Sequence, residues 1–576
     1  MPVFYEIVAA VNLEKCFSFF RPKLFTALRK YTTHDFTADL GAGVTVGIVA
    51  LPLALALGIA SIPADKLGPE WPSPPAIGLY TAIIAGFLIS LLGGSRVAIG
   101  GPTGAFVGIV FATAATYGFA NLLICTLMAG VMLIFMGVAR MGSMIKFIPF
   151  PVTTGFTTGI AIILFSTQVK DFLGLTLENV PADFVPKMIA LAKSLQSVNG
   201  QALAMAIGVL ALLVWWPDKW ARRVPASIVA VLTGTAVAAV FQLDVETIGT
   251  RFGEIPRNLP TPHLPDFDFS KLKELIRPAF TIALLAAIES LLCCVVADGM
   301  TDERHDSNTE LVAQGVANIG SAMIGGIPAT GAIARTATNV RSGARTPVAG
   351  IIHALTLLAI VLIAAPWAKH IPLAVLAGVL VYIAARMGEW HQFTRLWKWP
   401  KSDAVVFLAA FSLTVLADLT VAVEVGLVLA ALLFVKRVSE TTQIAKMAEA
   451  NFDEPEDRAA GVKAPDGVIV FSVFGAFFFG AVDKLETALA QVQQEPSVLV
   501  LRMRQVLAMD ASGLDALEDL HDKLLKKGRH LLLVGPHAQP LLMMSKAGFI
   551  EKVGQTNVCG DLTEAYARAN ELMQPK

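Results

Sequence analysis

The chain has 576 residues, 55% hydrophobic and 16% charged, and its 45 basic residues balance 45 acidic ones. An ordinary soluble domain carries roughly a quarter charged residues, so this composition, with a mean hydropathy of +0.64, excludes a soluble fold and predicts a polytopic α-helical membrane protein embedded in a lipid bilayer. Zero net charge offers no electrostatic footprint for nucleic acid.

Residues 1–36 are expected to form an N-terminal cytoplasmic or interfacial segment. Aromatics alternate there with Lys15, Arg21, Lys23, Arg29 and Lys30, which suits either a helix lying on the inner membrane face or a basic leader. No short apolar region with a small-residue cleavage site is seen. Residues 37–438 form the expected membrane domain. Its plainest apolar segments are 40–60, 76–92, 121–139, 279–297 and 423–435, and with the shorter Gly- and Pro-broken ones about 14 spans are predicted. With both ends inside, Arg140, Lys146, Lys219, Arg222, Arg223, Arg341, Arg345, Arg395, Lys398, Lys401, Lys436 and Arg437 fall in short inner loops, whereas Lys66 and Lys369 stand nearly alone outside. This bias predicts cytoplasmic N- and C-termini.

Two Gly/Pro-interrupted stretches occupy matching places in the two halves, GGSRVAIGGPTGAF (93–106) and GGIPATGAIARTATNV (325–340). Paired broken segments of this kind point to a transport site between inverted repeats. Pro102 and Pro328 are each expected to open a short helix after an extended lead-in. A helix that begins inside the membrane has first-turn N–H groups that neither the helix nor lipid can satisfy. Two such ends would offer donors from Thr103, Gly104, Ala105 and Phe106 and from Thr330, Gly331, Ala332 and Ile333, each end with about half a positive charge. An anion is the ligand such ends would take. Arg335, about two turns into the second helix, adds a full positive charge, and Gly331, Ala332 and Ala334 leave room for close approach to backbone.

Glu289 lies near the middle of AFTIALLAAIESLLCCVVA, and an acid there either switches its charge or forms a permanent pair with Arg335. In the first case it is the coupling-ion residue for H+ or Na+. Glu310, Gln314 and Asn318 fall at i, i+4 and i+8, so they share one helix face and either line a cavity or tie helices together. Five cysteines show no C-x-x-C spacing and nine histidines no H-E-x-x-H, so no metal, disulfide framework, cofactor or enzyme chemistry is expected.

Residues 439–465 are polar, acidic and Pro-bearing, as a linker should be. Residues 466–576 then read as a soluble α/β module: strands at 467–480, 497–503 and 530–535, and helices at 483–495, 511–528 and 561–573. No phosphate-binding glycine loop occurs, which argues against direct ATP-driven pumping.

GPTGAF (101–106), AIESLLCCVVADGMT (287–301), SNTELVAQGVANIGSAMIGG (307–326) and ATGAIARTATNVRSGARTP (329–347) resemble the sulfate permease (SulP) family of anion transporters, and MDASGLDAL (509–517) resembles the D-x-S-G-L turn of its C-terminal STAS domain. The resemblance implies 14 spans in two inverted seven-span repeats, divided into core and gate domains, usually as a homodimer. It places the anion between half-helices three and ten, against Gly104, Ala105 and the backbone from Gly331 to Ala334. Arg335 then holds the family's arginine position and Glu289 that of the span-eight acid of coupled uptake members. Where animal relatives often have serines before the arginine, this chain has Ala332 and Ala334. Ser512 matches the serine that accepts phosphate in related anti-sigma factor antagonists, and is also a good helix cap.

The function expected from this reading is secondary active import of a small anion (sulfate, bicarbonate or a C4-dicarboxylate) across the inner (cytoplasmic) membrane by proton symport, with Na+ as the second coupling ion. The alternatives are an uncoupled exchanger or channel, and a membrane-tethered anion sensor signalling through the STAS domain to a cytosolic protein or nucleotide partner.

Overall fold

The computed structural model describes residues 20–29, 31–143, 149–177, 180–181, 183–217, 225–254, 262, 271–417, 464–478 and 496–574, with scattered positions from 421 to 446 and at 484 and 488. The chain divides into two compact units, Met1–Val428 and Leu429–Lys576.

The first unit is helical. α1 (Thr33–Ser61) starts at a capping box, in which Thr32 accepts from the Asp35 backbone and Asp35 accepts in return from Thr32. α2 (Pro74–Leu92) leads into a two-residue strand, β1 (Gly100–Gly101), and the short helix α3 (Gly104–Tyr117). α4 (Phe119–Val138), α5 (Phe150–Leu173), α6 (Phe184–Lys193), α7 (Gly200–Trp215) and α8 (Ala226–Val240) complete the first half. The second half repeats the order: α9 (Leu272–Thr301), α10 (Ser307–Met323), β2 (Thr330–Gly331), α11 (Ile333–Arg341), α12 (Val348–Ala368), α13 (Leu373–Met387) and α14 (Lys401–Leu416).

Reciprocal packing expresses the inverted repeat. α1 packs on α12 and its counterpart α9 on α4; α2 packs on α12 and α10 on α4; α5 packs on α14 and α13 on α7. The ribbon formed by β1 and β2 lies where the halves meet, antiparallel, with Gly100 opposite Gly331 and Gly101 opposite Thr330.

Among the described residues, seven helical spans are long and apolar enough to cross a membrane alone, and α6 with its short extension is bent by 116° from α7. α3 and α11, with 14 and 9 residues, reach only about 21 and 14 Å at 1.5 Å per residue, against a hydrocarbon core of roughly 30 Å. They are half-helices completed by extended lead-ins. The expected span at 423–435 is described only at scattered helical positions, and the basic loops at Lys146, Lys219, Arg222, Arg223, Lys436 and Arg437 lie outside the described residues.

The second unit is a five-stranded sheet in the order β3 (Gln443–Lys446), β4 (Val468–Phe477), β5 (Val498–Met509), β6 (His530–Val534), β7 (Val558–Cys559). β3 is antiparallel to β4, and the other pairs are parallel. Side chains alternate across β4 to β6 and so divide two cores. One joins Phe471, Leu499 and Leu501 to Leu517 of α15 (Ala511–Lys526) and Met544 of α16 (Ala538–Lys546). The other joins Val470, Val500 and Leu532 to Ala565 and Tyr566 of α17 (Leu562–Met573). Residues 443–446, expected as linker, are instead an edge strand. β5 runs on to Met509, beyond the expected strand end, and α16 occupies a stretch given no element. The helix expected at 483–495 lies outside the described residues except at 484 and 488.

Candidate functional site

Two half-helices spring from the β1–β2 ribbon. Backbone that would be unsatisfied in a broken span is paired across it, and polar side chains from α2, α9 and α10 hold both lead-ins. Glu310 accepts from the Gly94 N–H at 2.9 Å and from Gln314 at 2.9 Å. Asn318 clamps Ala329 from both sides, donating to its carbonyl at 2.9 Å and accepting from its N–H at 2.9 Å. Thr81 takes the Ile327 N–H at 2.9 Å. Glu310, Gln314 and Asn318 are all buried, so the polar stripe ties the structure together and does not line an open cavity.

The start of α11 differs from expectation. Pro328 lies five residues before the helix, and Pro102 two before α3; both prolines belong to extended lead-ins, where a missing N–H is harmless. Thr330 and Gly331 are strand residues. The Thr330 hydroxyl donates to Ala286 O at 3.1 Å and lies 2.7 Å from Ser290 Oγ, the Gly331 N–H donates to Ser290 Oγ at 3.1 Å, and the Ala332 N–H donates to Ile99 O at 2.8 Å. These three residues, expected to face an anion, are engaged in holding the ribbon. Gly331 suits a close approach: a Cβ there would sit 3.0 Å from the Cys293 Cβ and 3.1 Å from the Ser290 Cα on α9, tight enough that α9 would have to give by a few tenths of an ångström.

Neither half-helix has a side-chain cap, since Thr103 and Ala332 occupy the N-cap positions in extended conformation without bonding the first turn. On α3, Phe106 N–H returns to Thr103 O at 3.2 Å, leaving Gly104 and Ala105 with free N–H groups among the described residues. On α11 the free ones are Ile333, Ala334 and Arg335. Ile333 and Ala334 are exposed, Thr103 and Gly104 half-buried, and Ala105 buried. Leu164 of α5 and Met387 of α13 face Gly104, at 3.0 and 3.7 Å from where its Cβ would be.

Arg335 sits in the first turn of α11, closer to the helix start than the two turns counted from Pro328. It is 4% exposed. Its Nη2 donates to the Pro102 carbonyl, so the guanidinium spans from one half-helix to the entrance of the other, while Nη1 has no hydrogen-bond partner among the described residues. Glu289 on α9 accepts from the Thr103 hydroxyl at 3.0 Å. No ion pair joins Glu289 to Arg335 among the described residues; their polar contacts go to Thr103 and Pro102 instead. The acid, the arginine and the two free helix ends are thus gathered around Pro102 and Thr103.

Sequence reasoning missed several supporting groups. Thr103 reads as a backbone donor, yet its hydroxyl is what reaches Glu289. Thr336 accepts from the Ile99 N–H at 2.8 Å and meets Cys293 Sγ at 3.1 Å. His353 on α12 is fully buried beside Gly86, with both ring nitrogens unpartnered among the described residues; a lone histidine in an apolar run is the only signal for it. His305 is held by Asp298 at 2.6 Å, and no cluster of metal-ligating side chains occurs among the described residues. In the second unit Asp510 is the cap of α15, accepting from the Gly513 N–H at 2.8 Å, and Ser512 is exposed in the first turn.

Inverted helical repeats around two half-helices, joined to a small mainly parallel sheet, define a polytopic membrane transporter with a C-terminal STAS domain. Residues 36–410 match the Sulfate permease family and residues 459–565 the STAS domain, and the chain belongs to the Sulfate permease family. It is 41% identical to "Putative sulfate transporter YvdB" of Bacillus subtilis over 91% of this chain and 96% of that protein. It is 31% identical to the bicarbonate transporter BicA of a Picosynechococcus species, over 90% and 92%. Among solved structures, the transmembrane domain of a cyanobacterial BicA aligns with a TM-score of 0.61 at 33% identity, covering 68% of this chain and 99% of that one. SLC26A9 aligns with a TM-score of 0.82 over 98% and 94%, and at 20% identity it bears on the fold alone. The family is one of transporters, which points away from an enzyme.

Proposed function

We propose that the protein is a secondary active importer of small anions driven by proton symport, with the anion held between the N-termini of α3 and α11. The observation that carries this reading is the Arg335 guanidinium: it is buried, tied through one nitrogen to Pro102 and free at the other, next to unpaired N–H groups of two half-helices. A buried positive charge without a carboxylate partner is costly, and an anion bound at the two helix ends would offset that cost. Contacts come from Gly104, Ala105, Ile333, Ala334 and Arg335, with Thr103 at the edge. Glu289 is the coupling residue. Ionised, it disfavours an arriving anion; protonated, it leaves the site cationic, so anion and proton enter together.

Leu164 and Met387, from α5 and α13, cover Gly104 as the gate side, against which the core carrying both half-helices moves. The names of the relatives support sulfate and bicarbonate as substrates, with C4-dicarboxylates as the third class. Both termini are placed in the cytoplasm by the lysine and arginine bias, in the inner membrane of a bacterial-type cell, and the protein is taken to work as a homodimer whose STAS domain docks a cytosolic regulator. Uptake of labelled sulfate, bicarbonate and succinate into proteoliposomes, with and without imposed pH and Na+ gradients, tests the proposal. Uptake stimulated by an inward proton gradient is expected. Stimulation by Na+ alone would reassign the coupling ion, and flux indifferent to both gradients would overturn symport.

A further inference from the structure

A second cavity, rich in charged side chains, lies away from the half-helix ends, where α1 and α5 end. It has a volume of about 160 Å³ and is lined by Phe111, Lys170, Asp171, Lys187 and Arg251 among others, which is ample for a small ion when a single water needs roughly 10–15 Å³. Its charges are unevenly committed. Arg251 holds Asp171 at 2.8 Å and also Glu246. Asp65, on the rim, lies 3.8 Å from Lys66. Lys170 gives one bond to the Leu177 carbonyl. Lys187 is 2% exposed and has neither a hydrogen bond nor an ion pair among the described residues; its ammonium lies 5.3 Å from the centroid of the Phe111 ring. Asp183, the N-cap residue of α6, attracts it from beyond ion-pair distance.

An ammonium on a buried side chain whose nearest described contact is an aromatic face is poorly compensated. A cation–π contact offsets only part of the cost of burying an ion. The position of the contact gives this arrangement a purpose. Phe111 is on α3, seven residues or about 10 Å beyond Gly104, and Lys187 is on α6, a ten-residue amphipathic helix too short to span. α6 packs on α5 and α14. The pair therefore joins the half-helix that carries the anion site to the side of the fold proposed above as the gate.

We propose that Lys187, with Lys170, forms a second binding site for small inorganic anions on the inward path, and that Phe111 occupies the Lys187 ammonium when the path is closed. Displacement of α3 relative to α6 separates the ring from the ammonium and frees it for an incoming anion, which then moves about two helical turns along α3 to the half-helix ends. With both termini inside, as proposed above, α1 and α5 end on the outer face and so does the cavity; the existence of the site does not depend on that orientation.

Two measurements on the full-length protein test this. The chain already holds eight tryptophans, so the difference signal between Phe111→Trp and its parent reports the cavity: quenching of that signal by iodide is expected to exceed quenching by neutral acrylamide, and adding Lys187→Met is expected to abolish the excess. Iodide quenching that is unchanged by Lys187→Met would overturn the site. In oriented proteoliposomes, Lys187→Met is expected to raise the external KM for sulfate at least fivefold with kcat within twofold of wild type, and Lys187→Arg to restore it. An unchanged external KM in a folded protein would overturn the place of Lys187 on the import path. The quenching experiment needs no transport, so it separates failure of this site from failure of the proposed symport.

Discussion

The hydroxyl of Thr103 donates to the carboxylate of Glu289 at 3.0 Å, and Thr103 is also the N-cap residue of α3. One residue thus joins the acid on α9 to the helix end proposed to bind the anion. In the symport reading this bond links the coupling acid directly to the anion site. Thr103→Val removes the only hydrogen bond made by the Glu289 side chain among the described residues. The midpoint of uptake against pH should then shift, while anion affinity is kept. A midpoint that stays in place, measured with an unchanged anion affinity, would sever Thr103 from coupling.

Glu289→Gln keeps the shape and an acceptor for Thr103 while fixing the charge at zero. Anion binding should survive, measured by equilibrium binding in detergent, and the dependence of uptake on the proton gradient should vanish. Persistence of the gradient dependence would place the coupling group elsewhere.

Arg335→Ala deletes the cation and leaves the buried Pro102 carbonyl unpaired. A hydrogen bond involving a charged group contributes about 1.5–3 kcal/mol, so anion affinity should fall roughly 10- to 150-fold. Arg335→Lys should recover part of it, since an ammonium supplies charge without the planar fork that spans Pro102 and a ligand together. Titration calorimetry on both variants separates the contributions of charge and geometry, and equal affinities for Ala and wild type would refute the site.

The parts of this site legible in the sequence are those where a residue conflicts with its surroundings. Arg335 and Glu289 stand out because each is an ionisable group in an apolar run, and the spacing of Glu310, Gln314 and Asn318 shows a shared helix face. The β1–β2 ribbon is not legible, because two residues per strand leave no periodicity and the paired residues are far apart in the chain, Gly100 with Gly331 and Gly101 with Thr330. Pro328 therefore reads as a helix start when it is part of the lead-in, and Thr330, Gly331 and Ala332 read as ligand contacts when their hydrogen bonds go to Ser290, Ala286 and Ile99. In the STAS domain, β3 is hidden for a similar reason: QIAK sits in a polar stretch and gains strand geometry only by pairing with β4. The Lys187–Phe111 contact depends wholly on how two distant helices meet.

Asn318→Ala should act on the ribbon without touching the charged groups. Both the N–H and the carbonyl of Ala329 lose their partner. With roughly 1–3 kcal/mol for each of the two buried groups left unsatisfied, the membrane domain should lose about 2–6 kcal/mol of stability. Thermal denaturation followed by tryptophan fluorescence measures the loss. Because the ribbon positions α11, anion affinity should fall as well; a variant as stable and as tight-binding as wild type would show that the clamp is dispensable.

Adjacent positions in the STAS turn should respond in opposite ways. Ser512 is exposed in the first turn of α15, where a negative charge meets the positive end of the helix dipole, worth about 0.3–1 kcal/mol. Ser512→Asp should therefore leave the domain as stable as before or slightly more so, and a phosphate would fit there without refolding. Gly513 has no such freedom. A Cβ there would come within 2.2 Å of the Phe477 carbonyl at the end of β4, so Gly513→Ala must push α15 away from the sheet. Hydrogen exchange of the β5 and β6 amides in the full-length protein distinguishes the two: protection should be kept in Ser512→Asp and lost in Gly513→Ala. Faster exchange in Ser512→Asp would mean that charge at this turn disrupts the domain, and would count against any role for Ser512 as a phosphate acceptor.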